Sequence, residues 1–78
     1  MTAELSLKEI EATLIQRIKD TLYKMHHLAG QGKARESLML HRGYDELDYI
    51  LSSLFGVDKD EYAWREDGYN EWVKLKGV

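Results

Sequence analysis

The sequence predicts an all-α protein, an antiparallel two-helix hairpin with a shorter C-terminal helix packed on it. Three observations carry that reading. Two apolar stripes at helical spacing and of nearly equal length are separated only by Gly30-Gln31-Gly32. A capping signature opens the first stripe, and no proline interrupts either one. Two long helices joined by a tight connection lie antiparallel.

The first helix is expected over residues 7–29. Ser6-Leu7-Lys8-Glu9 reads as a capping box, with Ser6 at the N-cap and Glu9 at N3 satisfying each other's backbone donors. Leu5 and Ile10 then occupy the two positions of a hydrophobic staple. At ~100° per residue, Leu7, Ile10, Leu14, Ile18, Leu22, Met25, Leu28 and Ala29 share one stripe, with Ile15 at its margin. Lys8, Glu9, Gln16, Lys19, Asp20 and Lys24 take the other side. Gly30 is the expected stop, in the left-handed conformation that ends many helices.

The second helix is expected over residues 33–55, stopping at Gly56. Leu40, Tyr44, Leu47, Ile50, Leu51, Leu54 and Phe55 form a broad apolar arc. A glycine inside a helix costs up to ~1 kcal/mol relative to alanine, so Gly43 marks a close approach to the first helix, a kink or a break. Opposite the arc, Leu38, Arg42, Asp45 and Tyr49 recur at i, i+4, i+7 and i+11, with Met39 beside them. One helix cannot bury two opposite faces against a single partner helix. The second row is therefore a contact for the C-terminal segment, a second copy or a target protein, or else a scatter of exposed apolar side chains of the ordinary kind.

Residues 58–76 are rich in aromatics: Tyr62, Trp64, Tyr69 and Trp72. As a helix capped by Asp58, this segment places Tyr62, Arg65, Tyr69, Trp72, Val73 and Lys76 on one face and Lys59, Asp60, Glu66, Asp67, Asn70 and Lys74 opposite. As a β-hairpin it would turn at Asp67-Gly68, which would make the fold α+β. The helix explains the polar face, and the hairpin explains Gly68.

Few chemistries fit these residues. Seventy-eight residues leave room for one domain, residues 1–78, and the lack of cysteine excludes a disulfide scaffold or a thiolate zinc site. His26 and His27 diverge by ~100° on a helix, and His41 with Asp45 at i, i+4 lacks a third ligand, so no metal or cofactor is implied. Asp58-Lys59-Asp60 begins like a calcium loop, but Ala63 stands where glycine is required and Tyr69 where glutamate is. No phosphate-cradling glycine motif occurs. Ser37 and His41 at i, i+4 have no orienting third group, and Asp45, Glu46 and Asp48 fall on a solvated helix face. The expectation is a non-enzyme.

Two segments carry resemblances. Leu51-Ser52-Ser53-Leu54-Phe55-Gly56-Val57-Asp58, followed by a short polar helix with Tyr62 buried, resembles the turn of helix-turn-helix DNA-binding domains, which implies DNA contact by the following helix. That helix would read Lys59 to Asp67, which is net acidic and repelled by phosphates. Glu46-Leu47-Asp48 resembles the end of the Ser-Gln-Glu-Leu-Asp motif on the second helix of small two-helix aspartyl-phosphate phosphatases acting on sporulation response regulators. The resemblance implies a shared hairpin, but Tyr44 and Asp45 replace the Ser and Gln that a phosphatase role would use.

The sequence thus points to a small protein-protein interaction module, such as an inhibitor, adaptor or regulatory accessory protein, that occludes or tethers a protein partner. Its candidate partner-binding residues are Leu38, Arg42, Asp45, Tyr49, Tyr62, Trp64, Arg65, Tyr69 and Trp72, because buried Trp, Tyr and Arg carry disproportionate energy at interfaces. A chain with a single phenylalanine also draws on these aromatics for its own core. The alternatives are a helix-turn-helix-like regulator of nucleic acid and a self-associating helical bundle, with a homodimer as partner. A net charge of −3 disfavours nucleic acid and anionic membranes. Met1-Thr2-Ala3-Glu4 lacks the basic and apolar stretches of a secretory signal, so the expected compartment is the cytoplasm.

Overall fold

A computed structural model describes residues 6–77. The fold is all-α: α1 (Leu7–Gly30) and α2 (Ala34–Tyr49) form an antiparallel hairpin, and a short α3 (Glu66–Lys76) packs on α1. No strand occurs among the described residues, and α3 runs straight through Asp67-Gly68, where the alternative hairpin would have turned.

The capping box forms as the sequence requires. The Glu9 amide donates to Ser6 Oγ (3.2 Å) and the Ser6 amide to Glu9 Oε1 (3.3 Å). Leu5, the outer half of the expected staple, lies outside the described residues. At the other end α1 includes Gly30, and Gly32 takes the left-handed conformation instead, with φ +79°. The Lys33 amide reaches the Leu28 carbonyl and the Gly32 amide the Ala29 carbonyl. That is the Schellman pattern, and it satisfies carbonyls that a helix end otherwise leaves free.

Gly43 neither breaks α2 nor lets another element approach, since a Cβ added there would meet nothing within 4 Å. The irregularity comes later. Residues Ile50–Leu54 continue α2 as a π-helical turn, closed by the Phe55 amide on the Ile50 carbonyl, before Gly56 (φ +66°) reverses the chain. A π turn advances fewer degrees per residue than an α turn, so the apolar face slips around the axis. Leu51 stays fully buried while Leu54, expected in the arc, is carried into solvent. Leu7 is likewise exposed, one end of a stripe that outruns its cover.

The core is small: Ile18, Leu51 and Tyr62 are its fully buried members, ringed by Leu14, Ile15, Tyr44, Leu47 and Val57. Tyr62 reaches it because the C-terminal segment is not one helix. Asp58 caps a single 3₁₀ turn, Lys59–Tyr62, by accepting from the Asp60 amide (2.9 Å), and the backbone is extended at Ala63 and Arg65 before α3 begins. A continuous helix would put Tyr62 on the same face as Tyr69 and Trp72. The break lets Tyr62 enter the hairpin while the later aromatics pass to another side of α1.

Candidate interaction surface

Four of the nine residues expected to bind a partner are held by the chain itself. Trp72 is buried, its indole Nε1–H donating to Asp20 Oδ1 (2.7 Å), a carboxylate that also lies 3.3 Å from Lys76 Nζ. Tyr69 is half-buried, with its hydroxyl 3.1 Å from His27 Nδ1. Trp64 lies across α1, its ring 4.1 Å from that of His26 and 5.4 Å from that of Tyr23 in an edge arrangement, with its outer side left 41 % exposed. Tyr62 is 1 % exposed. Tyr62 and Trp72 are therefore core residues rather than surface ones, because a chain with one phenylalanine fills its interior with tyrosine and tryptophan.

Tyr23, which no stripe assigned to the core, is the centre of this arrangement. It is buried and packs edge-on or tilted against Trp64, Tyr69 and Trp72. Asp20, Tyr23 and His27 fall at i, i+3 and i+7, a second row on α1 that its polar neighbours disguise. Gly68 has its explanation here: a Cβ at that position would run into the Tyr23 hydroxyl and lie 3.2 Å from Cζ. Glycine is needed where the first turn of α3 presses on this ring.

The Tyr62 hydroxyl donates to Asp48 Oδ1, and Lys59 Nζ lies 3.5 Å from the other oxygen. Burial, then this bond to Asp48, pushes the Tyr62 hydroxyl far above its ordinary pKa of 10.0. Burial first, and Asp48 second, also raises that of Tyr44. Asp48 is thus committed to the fold, while Glu46 points into the groove between α1 and α2. The two acids of the Glu-Leu-Asp segment do not converge. Nor do Ser37 and His41: the Ser37 hydroxyl donates to the Met25 carbonyl (2.9 Å), and His41 Nδ1 pairs with Asp45 Oδ2 (3.0 Å). No group of three metal-ligating side chains is present among the described residues. The short polar helix expected after the Leu51–Asp58 turn is a four-residue 3₁₀ turn, too short to lie along a DNA groove, although Tyr62 is buried as that resemblance implied.

The remaining expected residues are in solvent. Leu38 (69 % exposed), Arg42, Asp45 and Tyr49 (63 %) line the outer face of α2, whereas Met39, 74 % exposed, borders the groove between α1 and α2. Arg65 is also exposed, 3.8 Å from Asp67. The C-terminal segment does not cover the α2 row, because its aromatics are spent on Tyr23 and its 3₁₀ turn on the core. α2 contains no fully buried residue at all. No helix among the described residues is long and apolar enough to cross a membrane. Neither a protein-family model, nor a curated protein, nor a solved structure matches the chain.

Proposed function

We propose that this chain is a non-enzymatic protein-protein interaction module that works by presenting the outer face of α2 to a protein partner, occluding or tethering it. One observation carries the reading: α2 leaves Leu38 and Tyr49 in solvent on the side away from α1, with Arg42 and Asp45 between them. Scattered surface leucines are ordinary, but two large apolar side chains flanking two opposite charges in one row, on a helix that buries none of its residues fully, form a face rather than a scatter. The aromatic tail plays a supporting part. It holds α1 so that the hairpin can offer α2 as a preformed surface, which lowers the ordering cost of binding.

Affinity capture from host extract tests this. With the full chain as bait, one dominant protein is expected, another protein or the chain itself, and Tyr49→Ala is expected to lose it while the helical circular dichroism stays unchanged. Equal recovery by both baits rejects the α2 face as the working surface.

A further inference from the structure

We infer that the occupant of the outer α2 face is a second copy of this chain, packed antiparallel about a two-fold axis that crosses this face midway between Arg42 and Asp45; this rests on the interaction reading above and names its partner. The row is a palindrome in chemistry. Arg42 and Asp45 stand at equal distances, about 2 Å of helix rise, on either side of the midpoint between Gly43 and Tyr44, and Leu38 and Tyr49 stand at about 8 Å. Laying a second α2 antiparallel on the first brings Arg42 to the second copy's Asp45 and Asp45 to its Arg42. The same operation sets Leu38 against the second copy's Tyr49, twice.

A two-fold contact must be self-complementary, since the same patch serves both partners. Opposite charges equidistant from a midpoint, flanked by apolar residues equidistant from it, meet that demand. Parallel packing in register would stack Arg42 on Arg42 and Asp45 on Asp45, which is repulsive. The charges are also free to be used in this way. Arg42 makes no ion pair among the described residues, and Asp45 has only the exposed His41 beside it. The tail lies against α1 and the core, so it does not obstruct the approach of a second α2.

Sedimentation equilibrium of the purified full chain, with charge reversals at the two central positions, is the test. The wild-type chain is expected to dimerise as concentration rises. Arg42→Asp places two like-charged pairs across the axis, as does Asp45→Arg, and each is expected to weaken the dimer by about tenfold or more. An equimolar mixture of these two variants restores both opposite-charge pairs, so a heterodimer of about wild-type strength is expected. Cysteine cross-linking fixes the register in a chain that has no cysteine of its own. Leu38→Cys mixed with Tyr49→Cys is expected to form a disulfide-linked dimer, and Leu38→Cys alone, with its thiols about 16 Å apart along the axis, is not.

A wild-type chain that stays monomeric at every concentration overturns the assignment, and so does a dimer indifferent to both reversals. The two levels of the argument separate cleanly. A monomer whose captured protein is lost on Tyr49→Ala overturns the second copy alone. A monomer whose capture is indifferent to Tyr49→Ala overturns the interaction reading as well.

Discussion

α1 and α2 lie side by side in one hairpin, and each carries a second row of residues turned away from the other. On α1 the row is Asp20, Tyr23 and His27, and the tail covers it: Trp72 bonds Asp20, Tyr69 bonds His27, and three aromatic rings enclose Tyr23. On α2 the row is Leu38, Arg42, Asp45 and Tyr49, and it remains in solvent. The covered row has polar ends that find partners within the chain. On the bare row only Asp45 has a partner, the exposed His41 on the same helix, and Arg42 has no ion pair among the described residues. The C-terminal segment is spent on α1 and the core.

The largest expected contrast comes from removing one large side chain from each row. Trp72→Ala deletes a buried indole and takes from Asp20 one of its two cationic or N–H partners, so a loss of about 3 kcal/mol is expected in urea unfolding. Tyr49→Ala, measured at a concentration where the chain is monomeric, should change stability by no more than about 0.5 kcal/mol. Comparable losses at the two positions would show that the α2 row is part of the monomer's own packing.

The core between the rows is probed by Tyr62→Phe, with an expected loss of about 1–2 kcal/mol because the half-buried Asp48 carboxylate loses a donor. The same residue sets an alkaline limit. Below about pH 10 folded and unfolded chains both hold the Tyr62 proton, so this group does not make stability depend on pH. Above the ordinary value of 10.0 the unfolded chain releases the proton and the folded chain keeps it, so stability falls as pH climbs from there. The slope from one such tyrosine is at most about 1.4 kcal/mol per pH unit. Thermal melts between pH 9 and 11 should show a shallower fall for Tyr62→Phe than for the wild-type chain; parallel curves would mean that burial and the Asp48 bond do not hold the proton.

The smallest contrast sets two helical glycines against each other. Gly43→Ala adds a methyl to open space and gains helix propensity, so it should stabilise by up to about 1 kcal/mol. Gly68→Ala, in the first turn of α3, gains at most that propensity and forces its methyl onto the enclosed Tyr23 ring, so a net loss of about 1 kcal/mol is expected. Denaturant midpoints moving in the same direction would mean that the tail gives way at Tyr23 more easily than its packing suggests.

Much of the fold was legible because it is written in local chemistry. Ser6 with Glu9, Gly56 at the chain reversal and the two 3.6-residue stripes each act within a few residues, and each is found where the pattern puts it. What was hidden depends on residues far apart in the chain. Tyr23 reads as one aromatic on a polar face until Trp64, Tyr69 and Trp72 arrive from forty or more positions away. The break at Ala63 to Arg65 serves two destinations at once, the core for Tyr62 and α1 for Trp72, and a helical wheel assigns only one. The π turn is equally invisible to a wheel that assumes a constant 100°, which is why Leu54 was misplaced. Within the candidate surface, spacing located the α2 row correctly as an outer face, whereas aromatic content did not distinguish Tyr62 and Trp72, which the core claims, from residues left for a partner.

The break after Tyr62 also decides what light can report about this molecule. Both tryptophans, Trp64 and Trp72, sit against α1, one over His26 and the other bonded to Asp20, and the outer face of α2 has none. Indole emission therefore follows the docking of the tail and is nearly blind to anything that lands on α2. The chain carries its own optical gauge of integrity, independent of occupancy, so an unchanged tryptophan spectrum beside a changed state of association is the signature of binding without rearrangement.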